Sequence, residues 1–455
     1  MTEKRKEQQN RMGTMAVLPL LISMAVPMMM SFFIQALYNI VDSMFVARIS
    51  ENALAAVSLA FPMQQIMGAI GIGTGVGISA SIPRAIAQKR IDHADRLANT
   101  GIFLCLCYTA VFVLLGLTFT RHFYEFQTSV PEIVEGGTQY LSIIWIVCMG
   151  SFFGVLFEKM LTSSGYATLA MISQASGAVF NIIFDPLLIF GIGPFPRLGI
   201  AGAALATVMG QVFAACLAGY FNMKKNEWIR FSPGMVFHPS ITAVKEIYTI
   251  GFPSMITMGL SSMSSFFINQ ILLQYSTTAT ALYGIWLKLQ NFCYMPAFGM
   301  NNGMVPILSY NSGTKRYDRV SQTIRYALTI ILSLMAVLTA VFELMPGTLL
   351  TMFSASEALR AIGMTALRYC VLSLMFGGNC VILGSAKQAL RHARFALLVN
   401  VLRGFVLPVA SFFLLSHLFH DILRLWIAVP FADMTACLCA VVLYRRMKRD
   451  LLAER

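Results

Sequence analysis

The stretch MAVLPLLISMAVPMMMSFFIQALYNIVDSMFV (residues 15–46) decides the class of fold, because its only charged residue is Asp42. A transmembrane helix needs about 20 consecutive, mostly apolar residues, so this stretch is long enough to cross a bilayer. It follows the charged segment MTEKRKEQQNR (residues 1–11), as the core of a secretion signal would. No small-residue cleavage site comes after it, and it is longer than a signal core, which predicts a retained helix.

The composition extends this interpretation to the whole chain. Hydrophobic residues make up 57% of the 455 positions and charged residues 12%, and the mean hydropathy is +0.71. Because soluble proteins carry about 25% charged residues, this chain cannot face water on all sides. Apolar runs of spanning length recur throughout, which predicts an all-α polytopic membrane protein with twelve transmembrane helices. The predicted spans are residues 15–46, 53–80, 98–119, 137–158, 168–191, 199–221, 242–273, 279–308, 322–345, 361–384, 394–416 and 422–443.

The sequence repeats at an offset of 226 residues. GTGVG (73–77) falls on GMNNG (299–303), and KRID (89–92) falls on KRYD (315–318). Each half then holds six spans, and an even number returns the chain to the side from which it entered. Both halves therefore share one topology, which predicts two six-helix bundles related by a parallel pseudo-twofold repeat.

The division into lobes follows from this repeat. We predict an N-terminal six-helix lobe at residues 1–221, a basic cytoplasmic linker at 222–241 and a C-terminal six-helix lobe at 242–455. Two similar bundles that face each other across a cavity are the geometry of alternating-access transport.

Lysine and arginine are concentrated on one side of the predicted membrane. That side receives the N-terminal segment, RAIAQKRIDHADR (84–96), the linker, KRYDR (315–319) and the tail YRRMKRD (444–450). Because cytoplasmic loops carry an excess of basic residues, both termini are predicted to be cytoplasmic. The net charge of +13 then reflects topology and contact with anionic lipid headgroups, and it does not indicate nucleic-acid binding.

Familiar catalytic and metal-binding motifs do not account for the function. GIGTGVG (71–77) looks like a nucleotide-binding loop, but it follows no predicted strand and lies in an apolar span, so it predicts close helix packing. The nine cysteines form no CxxC or CxxH pattern and are interpreted as small core residues. The sequence has no P-loop, nucleophile elbow or HExxH motif. We predict that the protein is no enzyme, has no cofactor or resident metal, and draws energy from an ion gradient.

Asp42 is the first candidate functional residue, because a charge at bilayer depth costs about 2.5–3.5 kcal/mol even on the lenient insertion scale. One interpretation is that Asp42 lies near the outer end of a long helix and reaches water. Against it, helical spacing aligns Asp42 with a polar stripe, formed by Ser31, Gln35 and Tyr38. Such a stripe predicts a face turned to protein or to an aqueous cavity.

A second carboxylate, Asp185, lies in NIIFDPLLIF (181–190), one helical turn after Asn181. Spans one and five run in the same direction, and each aspartate lies a few residues before the end of its span. Span six returns, and Thr207 lies about 12 Å from its start. We therefore predict a cation-coupling site at one level of the N-terminal half. Its members are Asp42, Asn181, Asp185 and Thr207.

Two prolines, Pro27 and Pro186, lie in the spans that carry the aspartates. Proline cannot donate to the carbonyl group four residues back, so each is a predicted helix kink beside the site. A purely structural kink is the alternative at both positions. A helix that bends and carries a titratable group would suit a proton-driven switch.

The C-terminal half differs from this arrangement. An offset of 222 residues aligns Pro186 with Pro408 and Asn181 with Arg403. A basic residue in that position predicts that the coupling site belongs to the N-terminal half alone. Asp433 in AVPFADMTA is interpreted either as structural or as part of the cytoplasmic vestibule, and both interpretations stay open.

These residues together resemble the multidrug and toxic compound extrusion (MATE) family. The likeness rests on QALYNIVDSMFVARI (35–49), NIIFDPLLIFGIG (181–193) and GIAGAALATVMGQ (199–211), and it covers nearly the whole chain. It is greatest with the DinF-type branch and its MepA-like bacterial members. In that branch a membrane-embedded N-lobe cluster is implicated in cation coupling. The resemblance implies that role for Asp42, Asn181, Asp185 and Thr207, and it implies a drug-binding cavity lined by Gln35, Tyr38 and Tyr140.

The resemblance implies a secondary active multidrug efflux antiporter in a bacterial cytoplasmic membrane. It would export amphipathic or cationic organic compounds in exchange for H⁺ or Na⁺ by alternating access, and Na⁺ would bind at the four cluster residues. The expected partners are small-molecule drugs, organic cations and membrane lipid, without nucleic acid, and the expected state is a monomer.

Two other functions were weighed. A lipid-linked oligosaccharide flippase of the same superfamily would favour more spans and a strongly basic cavity, whereas basic residues well inside the spans, such as Arg403 and Lys288, are few. A membrane-embedded transferase would need a His–Asp or Asp–Asp constellation near a loop. The segment RIDHADR (90–96) is only superficially of this kind, because part of it recurs in the second half.

Overall fold

The fold is helical throughout the part of the chain that the structure describes. A computed structural model describes residues 11–352, 357–391, 393–419 and 421–453, and every secondary-structure element in these ranges is a helix. A helix satisfies its backbone hydrogen bonds internally, which a chain of this composition needs inside a bilayer. Of the basic segments used to orient the chain, residues 1–10 lie outside the described residues.

The N-terminal half contains the first ten helices of the described chain. They are α1 (Arg11–Thr14), α2 (Val17–Ala47), α3 (Glu51–Ala87), α4 (Ile91–Thr118), α5 (Thr120–Gln127), α6 (Pro131–Ile146), α7 (Met149–Ser163), α8 (Ala167–Phe190), α9 (Ile200–Lys224) and α10 (Pro233–Phe237).

The C-terminal half follows with further helices, one of which contains a π-helical turn. They are α11 (Ile241–Leu273), α12 (Thr277–Gly313), α13 (Tyr317–Leu344), α14 (Pro346–Met352), α15 (Glu357–Val371), α16 (Ser373–Ala389), α17 (Ala393–Val401), the π-helix Leu402–Val406, α18 (Leu407–Leu418), α19 (Ile422–Leu425) and α20 (Ala428–Ala453).

All twelve predicted spans coincide with helices. Over the described residues, ten helical segments are long and apolar enough to cross a membrane. An eleventh span is broken, because α6 and α7 meet at an angle of 44°. The predicted span 279–308 is covered by α12, whose 37 residues are sufficient in length. Asn301 and Asn302 are among the polar residues that interrupt its apolar sequence.

The helix bounds repeat at the offset found in the sequence. α3 and α12 begin at residues 51 and 277 and end at 87 and 313, so both bounds differ by 226. The side chains of Ser50 and Ser276 each cap their helix by accepting a hydrogen bond from the N–H three residues on. Lys89 and Lys315 both adopt a left-handed backbone, with φ of 58° and 56°. The KRID and KRYD motifs are therefore equivalent helix-ending turns.

The chain divides into two compact units. The first is Met1–Met15 with Val26–Phe252, and the second is Ala16–Ala25 with Pro253–Arg455. Relative to the lobes predicted at 1–221 and 242–455, residues 16–25 and 242–252 group with the opposite unit. Both segments belong to long helices, α2 and α11, and each boundary falls beside a proline. The assignment of functional lobes stays a prediction.

The glycines of GIGTGVG hold helices of the first unit together. An added Cβ at Gly77 would lie 2.9 Å from the Cα of Ile247, and one at Gly251 would lie 2.8 Å from the carbonyl carbon of Gly73. Gly75 leaves room for the aliphatic chain of Lys159, whose Cγ would lie 2.8 Å from an added Cβ. The predicted role in close helix packing is confirmed.

We expect the substitution Gly77→Ala to destabilise the protein by about 1–3 kcal/mol, because its methyl group would overlap backbone atoms that cannot move aside as a side chain can. Thermal unfolding of the purified protein in detergent measures this loss. The matched control is Gly68→Ala in the same helix, where an added Cβ meets nothing within 4 Å. Equal unfolding temperatures for the two variants would contradict the packing role.

Candidate functional site

Two glycines bring α8 and α9 into backbone contact. An added Cβ at Gly177 would lie 2.7 Å from the carbonyl oxygen of Gly210, and one at Gly210 would lie 2.8 Å from that of Gly177. Such close approach through small residues is common between membrane helices. It places Asn181, one turn after Gly177, against α9.

Asn181 links the two helices by hydrogen bonds. Its Nδ2 donates to Asp185 Oδ1 at 3.2 Å and to Thr207 Oγ1 at 3.5 Å. Only 2% of Asn181 is exposed and none of Asp185. The structure thus brings together three of the four predicted cluster residues, at the common level that their positions in the spans predict.

Asp42 of α2 is the fourth member of the cluster. The carboxyl groups of Asp42 and Asp185 lie close enough to interact with each other. Within the described residues, Asp42 Oδ1 and Asp185 Oδ2 are both buried and neither accepts a hydrogen bond from a protein donor. Asp42 is half-buried, and one of its oxygens is shielded from solvent near the carboxyl group of Asp185.

The facing carboxyl groups restrict the charge that the cluster can hold. Two ionised carboxylates at this range repel each other, and burial raises the cost of both charges. A shared proton removes the conflict, and so does a cation between them. Asn181 Oδ1 is also buried without a donor, so the free ligands are oxygens. An all-oxygen set suits a hard cation such as Na⁺.

A cavity of about 130 Å³ lies beside the cluster in the first unit. Asn181 and Thr207 line it, and so do Gln35 and Tyr38 from the polar face of α2. Asp42 is not among the lining residues, and neither is Asp185. The cavity therefore meets the cluster at its amide and hydroxyl groups.

Tyr140 occupies a different position from the other predicted cavity residues. Its hydroxyl accepts a hydrogen bond from Gln64 Nε2 at 3.2 Å, and Tyr140 is not among the residues that line this cavity. A role of Tyr140 in substrate binding stays a prediction.

The two prolines lie inside helices that continue on both sides of them. Pro27 is in α2 and Pro186 in α8, and their roles as kinks stay predictions. The sharp bend in this half is the break at residues 147–148 between α6 and α7. No proline marks it, although the pair Gly150–Ser151 follows closely. Gly150, just after the break, packs against α9, where an added Cβ would lie 2.7 Å from Val212 N.

Sequence analysis missed an ion pair beside the cavity. Glu158 lines the cavity from α7, and Lys159 Nζ lies 3.1 Å from Glu158 Oε1. The two side chains are only 16% and 8% exposed. The predicted span 137–158 ends at this point, and the sequence pattern predicts no role for either charge. Glu246 lies 3.0 Å from His93 Nε2, inside the predicted span 242–273, where no role was predicted for it.

The C-terminal unit contains an ion pair of its own, in which Asp433 is buried and the Arg403 side chain is 23% exposed. Arg403 Nε donates to Asp433 Oδ1 at 3.0 Å, and the Tyr294 hydroxyl donates to Asp433 Oδ2 at 3.3 Å. The guanidinium carbon lies 5.1 Å from the centroid of the Tyr294 ring. Asp433 is 6% exposed and is held by protein partners, which agrees with the structural interpretation of this residue. We call Arg403, Asp433 and Tyr294 the C-terminal centre.

The remaining chemistry-bearing residues do not form a second type of site. The nine cysteines are free thiols. In the part of the chain that the structure describes, no group of three His, Cys, Asp or Glu side chains is arranged to hold a metal ion.

Repeated membrane-spanning helices, with two neighbouring carboxyl groups in one repeat, define the chain as a polytopic membrane transporter. The MatE family model matches it twice, over residues 27–187 and 253–413, and both bounds of the second match lie 226 residues beyond those of the first. The chain belongs to the MatE family, and it is accordingly a transporter and not an enzyme. The predicted fold, twelve transmembrane helices in two six-helix bundles of one parallel repeat, is confirmed.

Curated relatives match the chain over nearly its whole length. It is 24% identical over 428 residues to the multidrug export protein MepA of Staphylococcus haemolyticus, covering 93% of each chain. It is also 24% identical over 435 residues to an FAD transporter of Shewanella oneidensis, covering 94% of each. The predicted MepA-like character is confirmed at this level of similarity.

A solved structure shares the fold. A multidrug resistance MATE family transporter of the MOP superfamily, in its outward-facing conformation, superposes with a TM-score of 0.89 at 22% identity. The superposition covers 95% of this chain and 96% of the other.

We expect Asn181→Leu to destabilise the protein by about 1–3 kcal/mol, because it leaves Asp185 Oδ1 and Thr207 Oγ1 without their donor at a buried position. The matched variant Thr207→Val removes one acceptor and keeps the shape, so its cost should be smaller. Thermal unfolding in detergent compares the two. A larger loss for Thr207→Val would show that Asn181 does not hold the cluster together.

Proposed function

We propose that this chain is a secondary active efflux antiporter that exports amphipathic organic cations in exchange for H⁺ or Na⁺. One observation carries the proposal: the carboxyl groups of Asp42 and Asp185 face each other in the first unit, with a buried oxygen on each that accepts no hydrogen bond. Such a pair needs a proton or another cation, and the need returns whenever that cation leaves.

Exchange of cations at the pair Asp42 and Asp185 supplies the free-energy difference between two conformations of the transporter. With one or both carboxyl groups ionised, the cluster attracts a coupling cation or a positively charged substrate. Protonation removes that charge and with it the attraction. A ligand that binds two protonation states with different affinity shifts the equilibrium between the conformations that favour each state. Bending of α2 near Pro27, and of α8 near Pro186, would connect the charge state to helix geometry.

The cavity supports a cationic substrate. Its lining in the described chain includes the amide side chains of Gln35, Gln174 and Gln211 and the carboxylate of Glu158, and no Lys, Arg or His. A lining without basic side chains offers no counter-charge to an anion and is compatible with an organic cation, although Glu158 is already paired with Lys159. MepA of Staphylococcus haemolyticus is named a multidrug export protein, which agrees with this substrate class. Another relative is named an FAD transporter, so similarity alone does not select the substrate.

The remaining expectations complete the proposal. The protein would lie in the cytoplasmic membrane of a bacterium as a monomer, with both termini in the cytoplasm, in agreement with the basic side of the sequence. The lobes would be residues 1–221 and 242–455, joined by the linker 222–241. The coupling site would lie in the N-terminal half alone.

Ethidium transport in energised everted vesicles tests the antiport. We expect collapse of one of the two gradients, pH or sodium, to slow transport strongly. The cation that fills the acid pair must be replaced in every cycle, and that gradient supplies it. The identity of the effective gradient names the coupling ion. Transport that survives collapse of both gradients together would rule out H⁺ and Na⁺ antiport, and vesicles without the protein supply the background.

We expect Asp42→Asn and Asp185→Asn each to lower gradient-driven transport about 5- to 150-fold, the usual range of a coupling free energy, because an amide cannot exchange a proton. Each variant must first be shown to be inserted and folded. Glu125→Gln is the matched control, since Glu125 lies in an exposed ion pair with Arg121. Unchanged transport in both aspartate variants would remove the acid pair from the mechanism.

A further inference from the structure

The C-terminal centre lies where the repeat puts the counterpart of the N-terminal cluster. At the offset of 226, Thr207 falls on Asp433. At the same offset Gly177 falls on Arg403, and at the offset of 222 Asn181 does. Gly177 and Asn181 are one turn apart on one face of α8, and both line the cavity. With either offset, Arg403 aligns with a residue on the face of α8 that carries the N-terminal cluster.

The two halves also make the same connection between spans. In the first unit, Asn181 of the fifth span binds Thr207 of the sixth. In the second unit, Arg403 of the eleventh span binds Asp433 of the twelfth. Each polar centre thus joins the last two spans of its half.

The two centres differ in how their carboxyl oxygens are satisfied. In the N-terminal cluster Asp42 and Asp185 each have a buried oxygen without a donor. In the C-terminal centre both oxygens of Asp433 have donors, one from the guanidinium of Arg403 and one from the hydroxyl of Tyr294. The four residues of the N-terminal cluster include no positively charged side chain. In the C-terminal centre Asp433 is paired with the guanidinium of Arg403.

The fold of the second unit is adapted to the guanidinium group. An added Cβ at Gly377 would overlap the Tyr294 hydroxyl and would lie 2.7 Å from Arg403 Nη2. Arg403 itself lies in a π-helical turn, where the Leu407 N–H donates to Leu402 O, five residues back. Such turns are rare and are often found at functional sites. The next residue, Pro408, cannot donate a backbone hydrogen bond at all.

We propose that Arg403 is a resident cation, whose guanidinium permanently fills the C-terminal counterpart of the exchangeable cation site. Asp433 then has no need of H⁺ or Na⁺, and the C-terminal half does not take part in ion exchange. This inference rests on the proposed antiport for its meaning in the transport cycle. The occupancy of the site by the guanidinium is independent of that function and can be tested by itself.

Removing the side chain should turn the centre into a binding site for a free cation of the same shape. We expect Arg403→Ala to lower the unfolding temperature in detergent, because Asp433 loses its counter-charge in a buried place. Millimolar guanidinium chloride should restore several degrees, since a ligand that binds only the folded state stabilises it. Urea has nearly the same shape without the charge and should restore nothing, and choline chloride controls for ionic strength.

The controls separate this effect from a general response to salt. The matched variant Arg368→Ala breaks an exposed pair, with side chains 54% and 42% exposed and 3.8 Å apart, and it should show no guanidinium rescue. Gly377→Ala should lower the unfolding temperature like Arg403→Ala by crowding out the guanidinium. Gly284→Ala, where an added Cβ meets nothing within 4 Å, should not. Equal responses of Arg403→Ala to guanidinium and urea, or none to either, would overturn the proposal.

A double variant tests the consequence for coupling. Arg403→Met with Asp433→Leu removes both charges and leaves neither orphaned, so the protein should still fold. We expect it to keep the same dependence of transport on the pH and sodium gradients as the unaltered protein. Loss of that dependence in the folded double variant would make the C-terminal centre part of the exchange. If the unaltered protein itself ignores both gradients, the antiport fails, while the guanidinium experiment still decides the occupancy of the site.

Discussion

Two carboxyl groups that face each other inside a membrane-embedded bundle cannot both stay ionised unless a cation lies between them. This constraint explains the arrangement of the first unit. Asp42 and Asp185 come from different helices, Asn181 donates to one of them, and Thr207 ties Asn181 to the next helix. The glycines of α8 and α9 allow the backbone approach that these short side chains need. The polar site is thus a product of how closely the helices pack.

The same constraint is met differently in each half of the molecule. The repeat is strict where backbone geometry matters, since α3 and α12 share their lengths, their serine caps and the left-handed lysine turn that follows them. The two halves differ in the charged residues of their polar centres. In the first half, carboxyl oxygens of Asp42 and Asp185 have no hydrogen-bond donor among the described residues. In the second half, Arg403 and Tyr294 donate to both oxygens of Asp433. Duplication of a bundle followed by a change of charge at one site is enough to give two halves with one fold and different electrostatics.

Much of this was predictable from the sequence because the membrane imposes strong local rules. The length of the apolar runs predicts the spans. The helical period predicts that Gln35, Tyr38 and Asp42 share one face. The distance of each aspartate from the end of its span predicts that Asp185 and Asp42 lie at a similar depth in the membrane. Contacts between distant residues follow no local rule. The partner of Arg403 is thirty residues away in another helix, and the polar ends of α7 gave no sign that Glu158 and Lys159 turn inward. The break at residues 147–148 was missed because neither proline nor a loss of hydrophobicity accompanies it.

The boundary between the compact units has a consequence for the way the chain is assembled. It passes through α2 beside Pro27 and through α11 beside Pro253, so residues 16–25 complete the second unit and residues 242–252 complete the first. Each half of the sequence thus contributes the first turns of its leading helix to the compact unit formed mainly by the other half. Deletion of residues 16–25 would therefore remove part of the second compact unit, although these residues belong to the first half of the chain.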